Sequence, residues 1–89
     1  MIERDLTVSN RLGLHARATA KLVQTLSQYR SACTLLAKGR EVNAKSIMGV
    51  MLLAAGQGTA VKLRVDGDDE QAAADAVQAL FERRFDEDS

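Results

Sequence analysis

Histidine occurs once in this chain, at position 15, inside Asn10-Arg11-Leu12-Gly13-Leu14-His15-Ala16-Arg17-Ala18. Asn10 and Gly13 break the chain ahead of it. From Ala16 onward, Ala18, Leu22, Leu26 and Tyr29 recur at spacings of three and four with no Pro or Gly between them, which predicts an amphipathic helix over 16–29 that begins directly after the imidazole. At a helix start the first backbone N–H groups lack intrahelical partners, and the summed peptide dipole presents about half a positive charge, so the position suits an anion. The same field, together with Arg17, favours a neutral ring whose free nitrogen can attack phosphorus, and the amides are then placed to hold the attached phosphate. Arg17 can also offset the charge spread over phosphoryl oxygens during in-line transfer. The competing reading makes His15 a cap and Arg17 a solvated arginine.

A second group of residues begins at Ser46, which precedes the apolar run Ile47 to Leu53 and suits the cap of a short helix that Gly56-Gln57-Gly58 ends. In that helix Ile47, Val50 and Met51 define one stripe, while Met48 and Leu52 fall on another. A helix lying on one face of a sheet cannot bury both, so part of this surface is expected to stay open for a partner, and methionine adapts to more than one. Just upstream, Gly39-Arg40-Glu41-Val42-Asn43-Ala44-Lys45-Ser46 nearly spells a nucleotide-binding phosphate loop. Ala44 stands where the second glycine is needed, and its Cβ obstructs the backbone that would wrap phosphates.

The balance of the chain narrows the remaining choices. Twelve basic and twelve acidic side chains cancel, so no bulk positive field would gather nucleic acid or an acidic membrane. The aromatics are Tyr29, Phe81 and Phe85, too sparse and too late to build a base-stacking platform. Cys33 is the single cysteine and has no Cys or His at ligand spacing; it reads as a small strand hydrophobe, and no metal or cofactor site is expected. No stretch approaches ~20 uninterrupted apolar residues, and the N-terminus alternates apolar and charged side chains, so the expectation is a soluble, cytoplasmic protein.

These residues must be positioned by a small scaffold, one domain over 1–89. Ile2, Leu6 and Val8 share one face of a strand with Arg4 as the exception. Ala32 to Ala37 and Arg40 to Asn43 flank the tight-turn pair Lys38-Gly39 as a hairpin, and Val61, Leu63 and Val65 alternate with charged residues in a further strand. A last helix is predicted from about Asp69 to Phe85, with Ala73, Val77, Leu80 and Phe81 as its core stripe, and residues 86–89 are expected to fray. The order is strand, helix, strand, strand, helix, strand, helix. It predicts an α+β open-faced sandwich, a four-stranded antiparallel sheet with three helices on one face, with strand order left open.

Gly13-Leu14-His15-Ala16-Arg17 closely resembles the active-site signature of HPr, the histidine-containing phosphocarrier family of the phosphoenolpyruvate-dependent phosphotransferase system. Lys45-Ser46-Ile47-Met48-Gly49-Val50-Met51 resembles that family's second signature, and the likeness spans nearly the whole chain. The resemblance implies that His15 accepts phosphate on Nδ1 from Enzyme I and passes it to an enzyme IIA component, with Arg17 stabilising it. The chain would then be a substrate of enzymes more than a catalyst. It further implies that Ala16, Ile47, Met48 and Met51 belong to a docking surface, and that Ser46 is open to a regulatory kinase. Two departures stand out. Ala18 replaces a common proline in the first helical turn, where either residue is tolerated. Leu12 replaces a polar residue that in many relatives can support the histidine. The variant resembles the branch associated with nitrogen-related phosphotransfer. The rival class is a non-catalytic regulatory domain of similar fold, controlled through Ser46.

Overall fold

In a computed structural model, which describes residues 1–87, alternating side chains produce four strands: β1 (Ile2–Thr7), β2 (Ala32–Ala37), β3 (Arg40–Asn43) and β4 (Ala60–Asp66). Three helices join them: α1 (Ala16–Leu26), α2 (Ile47–Leu52) and α3 (Glu70–Glu82). The sheet order is β1-β4-β2-β3 with every neighbouring pair antiparallel. Val61, Leu63 and Val65 of β4 meet Leu6, Arg4 and Ile2 of β1 on one side, and on the other Leu63 and Val65 meet Leu35 and Cys33 of β2. Those positions turn inward beneath the helices, where Leu22 and Leu26 of α1, Val50 of α2 and Val77 of α3 are fully buried.

Arg4, the charged exception on an inward face, ends on α3, where it donates to Gln78 and pairs with Asp75, each at 2.8 Å. Lys38 and Gly39 both take positive φ, 53° and 76°, as the tightest hairpin turn requires. Cys33 is 3% exposed, and burial raises its thiol above the usual range, in keeping with a packing role. No helix among the described residues is long and apolar enough to cross a membrane.

Two helix ends differ from the pattern in the sequence. α1 stops at Leu26, not Tyr29, because the carboxylate of Asp69, from the turn between β4 and α3, takes the backbone N–H of Arg30 at 2.8 Å and of Ser31 at 3.0 Å and draws the chain away. α3 stops at Glu82, not Phe85, because Arg84, Phe85 and Asp86 adopt φ of 56°, 55° and 62°. Left-handed backbone costs about 1–2 kcal/mol per residue in non-glycine positions. The return is complete burial of Phe85, whose ring lies 4.9 Å from that of Phe81, and a 2.7 Å hydrogen bond from Lys21 Nζ to the Phe85 carbonyl. The tail expected to fray from residue 86 is therefore held at Asp86 and Glu87; residues 88 and 89 lie outside the described residues.

Candidate functional site at the start of helix α1

His15 is the cap of α1: its backbone is extended at φ −76°, ψ −179°, and its Nδ1 accepts the Arg17 N–H at 3.3 Å. The loop that delivers it is strapped to the segment leaving α2. Leu14 N–H donates to the Ala55 carbonyl at 2.9 Å, and Gly13, at φ +69°, sits so close that a Cβ would meet the Ala55 oxygen at 2.5 Å and Gly56 Cα at 2.7 Å. Only glycine satisfies both the conformation and the space. On the other side, the Thr19 hydroxyl donates to the Leu14 carbonyl at 3.1 Å, tying the loop to the first turn of the helix.

The second ring nitrogen has a partner from the other end of the chain. His15 Nε2 lies 2.5 Å from Glu87 Oε2, with the two side chains 28% and 16% exposed. The Asn10 amide donates to Glu87 Oε1 at 3.0 Å. That amide first, then His15 and Lys21, holds the Glu87 carboxyl below its ordinary range against the opposing effect of burial. An ionised carboxylate only accepts, so Nε2 carries the ring proton, and Nδ1, facing an N–H donor, keeps its lone pair. The geometry thus assigns the tautomer.

Leu12, His15, Ala16, Arg17 and Glu87 line a hollow of about 560 Å³. Arg17 is exposed on its rim, and its guanidinium makes no ion pair among the described residues. Ser46 caps α2, its Oγ accepting the Gly49 N–H at 3.1 Å. Beyond it Met48 is 80% exposed and Ile47 and Met51 are about half exposed, while Val50, which shares their stripe by spacing, is buried. Leu52, on the second stripe with Met48, is exposed as well, and so is Leu12 beside His15, which extends the apolar surface beyond the residues assigned to docking. The near phosphate loop over 39–46 forms the hairpin turn, the edge strand β3 and its exit, with Ala44 buried and its N–H bound to the Cys33 carbonyl.

Fold and site together define a small domain that offers one imidazole at a helix start beside an exposed apolar surface. The family described as the PTS HPr component phosphorylation site matches residues 2–83. A phosphocarrier protein HPr of Xylella fastidiosa is 66% identical over 89 residues, covering both chains entirely. A phosphocarrier protein NPr of Shewanella violacea is 39% identical over 99% of this chain and 97% of its own. The crystal structure of an HPr from Thermoanaerobacter tengcongensis superposes with a TM-score of 0.96 at 44% identity, covering 100% of each chain. The chain belongs to the HPr family of phosphotransferase-system phosphocarriers.

Proposed function

We propose that the chain carries a phosphoryl group on His15 Nδ1, received from phosphorylated Enzyme I and passed to an enzyme IIA component. The observation that supports this best is the divided ring: Nε2 is tied to a carboxylate, while Nδ1 holds its lone pair at the start of α1 on the edge of the hollow. The Nδ1 lone pair forms the N–P bond as the donor's bond to phosphorus breaks and its electrons return to the donor. Nε2 keeps its proton, so the phosphorylated ring is cationic and Glu87 balances it. Onward transfer returns the N–P pair to Nδ1 and needs no proton transfer. The Arg17 amide, already 3.3 Å from Nδ1, turns from ring partner to phosphate donor, and the Arg17 guanidinium supplies charge to the phosphoryl oxygens.

The chain acts in this reading as a cytoplasmic substrate of enzymes, with Ala16, Ile47, Met48 and Met51 docking both partners. Incubation with phosphoenolpyruvate and Enzyme I should add one acid-labile phosphoryl group to the intact mass; an unchanged mass would favour the regulatory-domain reading. Ser46 is proposed as a control point for a dedicated kinase. A phosphate there adds about −1.5 to −2 charge beside Ile47 and Met48, where docking must desolvate it. Ser46→Asp should then slow uptake relative to Ser46→Ala, and equal rates would leave Ser46 a cap only.

A further inference from the structure

Asn10 is the largest of the buried polar side chains among the described residues, fully shielded in the loop between β1 and α1. Its amino group spends both hydrogens, one on the Gly13 carbonyl at 2.7 Å and one on Glu87 Oε1 at 3.0 Å. Its own carbonyl oxygen is buried without a partner among the described residues. A buried amide with an unfilled acceptor carries a cost for folding that its two donated hydrogen bonds offset.

What the amide accomplishes is a bridge between the two segments that flank the imidazole. Gly13 lies two residues ahead of His15, and Glu87 holds its Nε2. Aspartate at position 10 offers no donor at neutral pH, and a hydroxyl has one hydrogen where the bridge uses two. We infer that Asn10 is a positioning residue for phosphoryl transfer: it fixes Glu87 on His15 Nε2, so that the ring keeps its proton there and presents Nδ1 to each partner. The inference rests on the proposal that His15 is the acceptor. It adds that the quality of the acceptor is set by a residue that touches neither the phosphate nor the ring. The charged groups facing Glu87 are His15 and Lys21 of the α1 segment, with Arg17 on the rim and Asp86 beside it in the chain. Released from Asn10, the carboxylate is free to turn from the ring toward Lys21.

The test uses Asn10→Ala, Glu87→Gln and the double variant, followed by NMR of the His15 Nε2–H proton, by uptake rate from Enzyme I and by thermal melting. The parent should show that proton far downfield and slow to exchange. Asn10→Ala and Glu87→Gln should each lose the signal and each slow uptake about tenfold, while the double variant is no slower than Glu87→Gln alone. Additive losses would overturn the inference. So would an Asn10→Ala protein with a lower melting temperature but the parent's Nε2–H signal and rate, because the residue would then be structural only. If Asn10→Ala does not fold, the Asn10 side-chain amide resonances in Glu87→Ala decide the matter: a shift supports the bridge, and unchanged resonances overturn it. A parent that takes up no phosphate would refute the carrier reading while leaving the Nε2–H measurement to judge the bridge.

Discussion

Asp69 and His15 stand at equivalent places, the last residue before a helix, and their side chains are used in opposite ways. Asp69 turns from its own helix and collects the Arg30 N–H, the Ser31 N–H and, at 2.5 Å, the Ser31 hydroxyl. Its acceptors are spent inside the molecule. His15 spends one nitrogen in the same way, on Glu87, but leaves the other with a single donor at 3.3 Å, near the limit for such a bond, beside an open hollow. Each turn also needs a glycine for close backbone contact: a Cβ on Gly67, at φ +158°, would meet Ser31 Oγ at 2.5 Å, much as one on Gly13 would meet Ala55. The scaffolding is alike; what differs is whether polar capacity is left over. A saturated polar turn holds the fold, and an unsaturated one is free for chemistry.

His15→Ala should have the largest effect, reducing phosphoryl uptake to background while far-UV dichroism and melting temperature stay near the parent values. Retained acid-labile labelling would sink the assignment. Gly67→Ala should do the reverse, costing about 2–4 kcal/mol of stability through strained backbone and the collision with Ser31, measured by urea unfolding, with normal uptake in the protein that remains folded. Arg17→Ala should slow uptake about 10- to 100-fold, the loss of one charge-assisted hydrogen bond, because the backbone donors remain. A rate equal to the parent would remove Arg17 from the mechanism. Met48→Glu should weaken Enzyme I binding about tenfold while stability changes by less than about 0.5 kcal/mol, since the side chain is mostly in water.

The smallest effect belongs to pH. The Ser31 hydroxyl and then the Arg30 amide hold the Asp69 carboxyl below its usual range. A depressed folded-state value means that its stabilisation is complete above the unfolded value of about 3.9 and is lost as pH falls through the lower folded one. Asp69→Asn should therefore melt below the parent at neutral pH, with the gap closing on acidification past about pH 4. A gap independent of pH would show that the ionised form is not what Ser31 and Arg30 recognise.

Most of the scaffold was legible because its signals are periodic and local: alternation in β4, the three-and-four spacing in α1, Lys38-Gly39 between two strand runs. The helix-start position of His15 could be read for the same reason. Glu87 and Asn10 could not, because the hydrogen bond between them spans 77 positions and the acidic tail has no periodicity to distinguish it from a solvated end. One clue was present in Phe85, four residues beyond Phe81 and too apolar to leave in water; it marks a tail that is pinned. The patch on α2 was half legible. Spacing puts Val50 with Ile47 and Met51, but burial separates them, because so short a helix shows the core only the positions that face inward as it packs against α1 and β3.

The sheet face away from the helices has a kinetic consequence. It carries Glu3, Arg64 and Glu41, linked by two ion pairs at 3.1 Å across the strands, and none of the large exposed apolar side chains among the described residues lies on a strand. In the proposed relay, with a single docking patch around α2 and this side polar, donor and acceptor would compete for the same surface and could not be bridged. Each delivery would then require full release from one partner before encounter with the next. Throughput would then be governed by residence time, and a mutation that tightens either complex would slow the relay.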